Sequence, residues 1–396
     1  MAEHRFITPV DVLYLRGNRL FGDPGSHGDV VMPPWPSLAA GALRSRMLVD
    51  HGVDPGHYAD GTASLSEDLA RCLGTAEHPG AFRVGLFAVG RRSATGVEPL
   101  LPAPADLVVR GVDVAILGPA KLRGSIRTSL GLPLLPILRA AGAGKPEARS
   151  WLGRAALTSY LAGSRIQREQ LVSTQDIWKT DWRLGIALDG PRRTALEGHL
   201  YTTDAVAFRQ SDYPMVRHGF VVSVDGADGL VPRGGILRLG GDGRAAEVEA
   251  CALELPDPPW SDIERTGRFR LVLMTPGIFP DGWLPAGTRR RGADWGGADA
   301  SAPLRWELFG VRAELVSACV PRAQVVSGWD LARQRPKSAV QAAPVGSVYW
   351  FEAMEGSVDG LRRLAREGLW EPDGFDGARR AEGFNAVLVA AWPQGD

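Results

Sequence analysis

Short runs of β-branched and aromatic residues alternate along this chain with breaks rich in glycine and proline. Helical spacing is confined to a few segments. Residues 6–15, Phe-Ile-Thr-Pro-Val-Asp-Val-Leu-Tyr-Leu, predict a strand, with Pro9 giving it an edge position or an irregular start. Arg16 to Met32 is a loop dense in glycine, and Pro33-Pro34-Trp35-Pro36 then stiffens the chain. Ser37 is placed to cap a helix that runs to Val49, where Asp50-His51-Gly52 stops it. At about 100° per residue, Leu38, Gly41, Ala42, Ser45 and Val49 share one face of that helix.

Further strands are predicted at 82–89, 182–188, 199–208, 219–225, 268–274, 311–316, 345–352 and 385–391. The segments 182–188 and 199–208 read as partners. Residues 235–239 and 245–255 read as a hairpin closed by Gly240-Gly241-Asp242-Gly243. Helical spacing recurs at 151–167 and 361–367. Residues 118–147 alternate proline, glycine and basic residues and suit an insertion, and 288–302 is a second excursion rich in glycine, aspartate and alanine. Many strands with few helices favour an α+β fold with antiparallel sheets over a doubly wound one. A boundary between 180 and 220 would give halves of similar size, although no linker composition marks it.

Hydrophobic residues make up 44% of the 396-residue chain and charged residues 23%, enough for a sizeable core and against global disorder. Lys+Arg and Asp+Glu both number 45, so the formal net charge is zero. A free-standing nucleic-acid binder is usually basic, because phosphate neutralisation dominates its affinity. Any nucleic acid bound here must meet local basic patches or be shared with partner subunits. Cys72, Cys251 and Cys319 are far apart and form no CxxC pair, so neither a disulfide framework nor a zinc knuckle is expected. The start of the chain lacks a signal-peptide core and no apolar run has membrane-spanning length, so a cytoplasmic protein without a membrane partner is expected.

Enzyme signatures are weak. A phosphate loop at Gly240-Gly241-Asp242-Gly243-Arg244 would have to join a strand to a helix, but strands flank it on both sides. A two-metal site needs adjacent carboxylates, and the turn holds only Asp242. None of the seven histidines has metal-ligand spacing, and no Walker loop or Gly-x-Ser-x-Gly elbow occurs, so neither a metal nor a cofactor is expected. His27, in Gly25-Ser26-His27-Gly28, is a candidate general base for metal-free RNA cleavage, against the plainer reading of a loop histidine held by backbone hydrogen bonds.

Binding features are stronger. Arg16-Gly17-Asn18-Arg19-Leu20-Phe21-Gly22 combines two cations, an amide and glycines that let backbone N–H groups approach a phosphate. Phe21 and Trp35 are candidates for base stacking, with ordinary packing the alternative for each. Arg44 and Arg46 lie about 160° apart around their helix and cannot serve one phosphate; Arg44 is placed on the RNA side. Arg333-Gln334-Arg335-Pro336-Lys337 is a second basic cluster, stiffened by Pro336 and preceded by Trp329. Arg289-Arg290-Arg291 is a third, read as a solvated face.

Several ordered segments carry a resemblance. Thr8-Pro-Val-Asp-Val-Leu-Tyr-Leu-Arg-Gly-Asn-Arg-Leu-Phe-Gly, Gly25-Ser-His-Gly and Pro33-Pro-Trp-Pro-Ser-Leu-Ala-Ala-Gly-Ala-Leu-Arg-Ser-Arg stand at the start. Leu184-Gly-Ile-Ala-Leu-Asp and His199-Leu-Tyr-Thr follow, then Leu273-Met-Thr-Pro-Gly-Ile-Phe-Pro-Asp-Gly-Trp-Leu-Pro. Gly328-Trp-Asp-Leu, Arg335-Pro-Lys and Pro344-Val-Gly-Ser-Val-Tyr-Trp-Phe-Glu complete the set. Together they resemble the third-subunit family of the Cmr complex, a type III-B CRISPR effector of the repeat-associated mysterious protein (RAMP) superfamily.

The resemblance implies two packed ferredoxin-like (RRM-like) domains with long inserted loops, at 1–205 with an insertion near 118–150, and at 206–396. It implies a non-catalytic subunit that grips the repeat-derived 5′ tag of the CRISPR guide RNA. Docking to the large polymerase/cyclase-like subunit and to a neighbouring backbone RAMP subunit is also implied. Arg16, Gly17, Asn18, Arg19, Phe21, Ser26, His27, Trp35, Arg44, Arg333, Arg335 and Lys337 are then the RNA-binding candidates, with Phe384 and Asn385 of the C-terminal loop. The family's loop reads Gly-aromatic-Gly, and Gly383-Phe384-Asn385 departs from it by adding a side chain. Two other functions stay open: a metal-free endoribonuclease using His27, Tyr14 and Arg16, and a protein adaptor without RNA contact.

Overall fold

The structure is a computed structural model that describes residues 2–17, 27–28, 30–121, 131–138, 145–147, 150–289, 304–330, 335–372 and 376–393. It is a mixed α+β molecule, mostly strands in antiparallel sheets, as the strand-rich pattern predicts.

Glu3–Pro9 organises the first sheet. It lies antiparallel between Met215–Asp225 and Ala245–Ala250. Arg83–Ser93 pairs with the far side of Met215–Asp225. In chain order the four central strands therefore run fourth, first, third, second. Gly96–Pro102, Ser150–Leu152 and Leu171–Ser173 extend one edge, and Gly234–Arg238 closes the other. Successive side chains of a strand point to opposite faces. Ile7 enters the core under the helix Ser37–Asp50, while its neighbour Phe6 enters the core on the opposite face. Both faces are thus buried, which explains an apolar run without clean alternation. The helix contributes Ala39, Ala40, Leu43, Met47 and Leu48. Pro36 already has helical angles (φ −64°, ψ −22°) and occupies the N-cap position, so Ser37 is the first helical residue and makes no capping bond.

The second sheet repeats this strand order. Phe269–Leu273 lies antiparallel between Val348–Glu355 and Val387–Ala390, and Val311–Cys319 flanks Val348–Glu355. Val358–Glu367 and Trp260–Thr266 cover its outer face. The inner faces of the two sheets pack together through Phe6, Leu86 and Val221 on one side and Val272, Val316 and Trp350 on the other. Helix Arg154–Leu161 joins that core through Leu157 and Tyr160. Each large apolar side chain fully buried there contributes about 1.5–3 kcal/mol.

Strands from both sides of residue 205 share the first sheet, so a division at 205/206 would separate Glu3–Pro9 from both its neighbours. The first sheet ends at Ala250. Between the central strands Arg83–Ser93 and Met215–Asp225 the chain makes a long excursion, residues 94–214, which supplies the edge strands above and carries the extended hairpin Trp178–Asp189 and Thr194–Phe208. The strand predicted to reach residue 15 stops at Pro9, whose ring nitrogen has no hydrogen to donate. Beyond it the chain forms isolated bridges at Leu13 and Arg16.

One ion pair lies in the seam between the sheets. Arg270, on the inner face of the second sheet, meets Asp106 of the excursion at 2.6 Å, and both side chains are fully buried. Asp106 Oδ1 accepts from the Tyr160 hydroxyl at 2.7 Å. Arg270 also donates to the Tyr160 carbonyl (2.7 Å) and the Ala391 carbonyl (2.8 Å). Burial pushes the Asp106 carboxyl above its usual range, and the Arg270 guanidinium opposes that rise. Removing one partner leaves a charge buried without its counterpart, at about 3–5 kcal/mol, whereas apolar replacement of both is often near neutral. Arg270→Met is therefore expected to lower unfolding free energy by about 3–5 kcal/mol. Asp106→Leu combined with Arg270→Met should cost less than the sum of the singles in urea melts. Additive losses would refute the coupling.

The C-terminal loop is also interior. Asn385 adopts φ 62°, a left-handed conformation Asn tolerates better than most residues. Its Oδ1 accepts from the Ile278 N–H at 2.7 Å, and its Nδ2 donates to the carbonyls of Leu369 (2.9 Å) and Ile278 (3.2 Å). The departure from a glycine thus keeps the backbone geometry and adds buried bonds. Asn385→Gly is expected to lower stability by about 1–3 kcal/mol, read as a lower denaturation midpoint at unchanged slope. No change would show that these bonds carry nothing.

Candidate nucleic-acid interface

The segment after Pro9 is held on two sides by main-chain bonds. Leu13 exchanges N–H···O bonds with Val206 at 2.9 and 2.8 Å, and the Gly241 N–H donates to the Tyr14 carbonyl at 2.8 Å. This fixes Tyr14 beside the turn at 240–243, which is a turn between antiparallel strands as its flanks predict. The buried Tyr14 ring has Arg244 at 4.9 Å and Arg16 at 5.9 Å from its centroid. A third cation, Arg183, is held in its charged form chiefly by Asp181 and also by the nearby Tyr14 hydroxyl.

Each guanidinium has an aspartate nearby: Arg16 with Asp242 (3.8 Å), Arg244 with Asp11 (3.3 Å) and Arg183 with Asp181 (2.9 Å). The aspartates are partly exposed, and exposed ion pairs contribute only about 0–1 kcal/mol. A phosphate can replace such a partner at small cost, with three arginines converging on one aromatic ring. Gly17 is needed for packing, because a Cβ there would come within 2.9 Å of the Val31 side chain.

Asn18, Arg19, Phe21 and Ser26 lie outside the described residues, as does Arg333. His27–Gly28 forms a short strand parallel to Thr202–Thr203 of the long hairpin, rather than a loop. The His27 backbone is therefore placed against that hairpin, while the Arg16 backbone bridges Val30. The other candidates lie elsewhere. Arg44 donates to the Tyr58 hydroxyl at 3.2 Å, while Arg46 bonds Asp50 and the Ile236 carbonyl, in keeping with their opposite placement.

Trp35 packs against Val326, Ala342, Trp370 and Phe384, which favours its packing role. Phe384 and Asn385 are buried, and neither presents a side chain at the surface. Lys337 binds Glu382, which also pairs with Arg379 at 3.2 Å. Arg335 is exposed on a two-stranded ribbon with Trp329–Asp330. Trp35 and Phe384 thus share one small core, separate from the Tyr14 cluster, and Lys337 pairs with Glu382 two residues before Phe384.

The sequence pattern paired the hairpin strands but did not give their orientation. Arg183 and Asp181 alternate with Trp182 and Leu184, and the polar face turns toward Tyr14. The apolar face is left open: Trp182 is 60% exposed, Leu184 55% and Leu188 65%, with Ile186 and Leu200 paired between them. Strict alternation was the available signal, and it specifies two faces without saying which is buried. Among the described residues no cluster of three His, Cys, Asp or Glu side chains is arranged for a metal ion. No helix among them is long and apolar enough to cross a membrane.

Solved structures similar to this chain include two of the Cmr complex. Both are cryo-EM structures of the Type III-B Cmr-beta bound to cognate target RNA, the second also with AMPPnP in its state 1. The first is 15% identical, covering 97% of this chain and 96% of that one, with a TM-score of 0.49. The second is 15% identical, covering 97% and 98%, with a TM-score of 0.48. No curated protein matches. A family model described as CRISPR-associated protein (Cas_Cmr3) matches residues 5–392, nearly the whole chain. The chain belongs to the Cas_Cmr3 family of CRISPR-associated proteins.

Proposed function

We propose that this chain is an RNA-holding scaffold subunit of a type III-B CRISPR (Cmr) ribonucleoprotein, gripping the repeat-derived 5′ tag of the guide RNA. Family membership supplies the setting. The observation that carries the assignment within the chain is the triad of arginines around Tyr14, next to the His27–Gly28 strand. Cations clustered around a buried aromatic ring suit a phosphodiester backbone. Zero net charge is compatible with this role when neighbouring subunits share the phosphates.

The architecture in this reading is two ferredoxin-like units. Both sheets have the fourth-first-third-second strand order of that fold. Among the described residues each keeps one of the two crossover helices, Ser37–Asp50 in the first and Val358–Glu367 in the second. The first unit extends to Ala250 and carries the excursion at 94–214. The open apolar face of the hairpin suits docking of a neighbouring protein subunit, either the large polymerase/cyclase-like subunit or a backbone RAMP.

Arg16→Ala and Arg244→Ala are each expected to weaken binding of tag RNA by the full chain about tenfold. Each should also flatten the dependence of log affinity on log salt by about 0.7 for every phosphate no longer neutralised. Unchanged affinity in both variants would refute the site. Trp182→Ser with Leu184→Ser should leave the chain folded but reduce its recovery in the assembled complex. Full recovery would remove the hairpin face from the interface. Incubation with repeat-containing RNA should give no cleavage product that depends on His27; such a product, lost in His27→Ala, would make the chain a nuclease instead.

A further inference from the structure

At the root of the long hairpin lies a recess of about 540 Å³, lined by Asp176, Lys179, Phe208, Arg209, Pro214 and His218. None of these belongs to the arginine cluster around Tyr14. His218 is buried and rigidly held. Its backbone N–H donates to Gln210 Oε1 and its carbonyl accepts from Gln210 Nε2, both at 3.0 Å. Its ring Nδ1 lies 2.7 Å from the Arg209 carbonyl. A carbonyl only accepts, so Nδ1 carries the proton and Nε2 offers a lone pair. Nε2 makes no hydrogen bond to any described residue. Burial lowers the imidazole pKa, as does the nearby Arg91 cation, while the Arg209 carbonyl and Asp176 raise it.

The recess therefore joins an unused acceptor to two cations, Lys179 and Arg209, and to an apolar wall from Phe208 and Pro214. Tyr213, almost fully exposed, precedes the lining residue Pro214 in the turn between Gln210–Asp212 and Met215–Asp225. The volume lies within the range of pockets that enclose a small organic ligand. Arg209 also donates to the Gln175 carbonyl, and the Asp176 carboxylate offsets one of the two cations, so the recess keeps one net positive charge. An acceptor that needs a donor, in a recess of net positive charge, matches a ribose 2′-hydroxyl with its neighbouring phosphate. We propose that this recess holds one nucleotide of single-stranded RNA, its 2′-hydroxyl donating to His218 Nε2, its phosphate on Lys179 and Arg209, and its base against Tyr213 and Pro214. The inference deepens the RNA-scaffold reading and rests on it. It adds a second contact, specific for ribose, away from Tyr14.

The test uses the full chain and guide RNA in which single nucleotides are replaced by their 2′-deoxy counterparts. One position is expected to lose about tenfold in affinity on losing its hydroxyl. A photoreactive base at that position should crosslink to the peptide that carries Arg209 to His218. In His218→Phe the loss at that position should vanish, while Lys179→Glu, an exposed change, should weaken all the oligonucleotides alike. A flat 2′-deoxy scan with intact RNA binding overturns this proposal and leaves the scaffold reading standing. Absence of RNA binding by the unaltered chain overturns both. If crosslinking in the assembled complex joins the 209–218 peptide to a neighbouring subunit, with none to RNA, the recess is a protein contact and the proposal is also overturned.

Discussion

The Arg270–Asp106 pair is the constraint on which the arrangement turns. Two sheets that bury both faces demand apolar residues on all four surfaces, yet Arg270 sits on a central strand and on an inner face. It is tolerable only because the excursion brings Asp106 and Tyr160 to it, and because the end of the last strand supplies the Ala391 carbonyl. The desolvation cost of such a pair makes it a poor source of net stability. It acts instead as a register mark, because a shifted seam would leave a buried charge unmatched. The Ala391 N–H bond to the Leu161 carbonyl at 2.8 Å reinforces the same junction.

The surface features follow from that seam. With the first sheet fixed between a helix and a second sheet, Glu3–Pro9 has no free face, and the chain that leaves it must emerge at the sheet end. There it meets the hairpin and the 240–243 turn, which set Tyr14 and its arginines. The excursion that supplies Asp106 to the seam also carries the hairpin, so one insertion fixes the core and presents the proposed binding surfaces. Rigid support behind loop-borne cations suits recognition by position rather than by net charge.

Much of the fold was legible because burial leaves a period. The partnership of 182–188 with 199–208, the hairpin around 240–243 and the helix after Trp35 all follow from alternation, turn residues or helical spacing. What could not be read was pairing at long range. Nothing local in Glu3–Pro9 says that its neighbours lie beyond residue 210, so a boundary near 205 was the natural division of the sequence. The candidate site was legible in its residue types more than in its grouping. Arg16 was found by its basic, glycine-rich context, but Arg183 and Arg244 reach the same ring from distant segments. Phe384 and Asn385 were drawn by a family pattern toward RNA, whereas their burial assigns them to packing. His218 carried no motif, since only the fold gives it a recess.

The most direct test of the central claim is photocrosslinking in the assembled complex, with a guide RNA carrying a reactive nucleotide at successive positions of its 5′ tag. The account predicts adducts on the peptides that contain Tyr14–Gly17 and His27–Gly28, reduced when Arg16 and Arg244 are replaced. Adducts confined to other subunits at every tag position would contradict it and leave this chain as a protein adaptor.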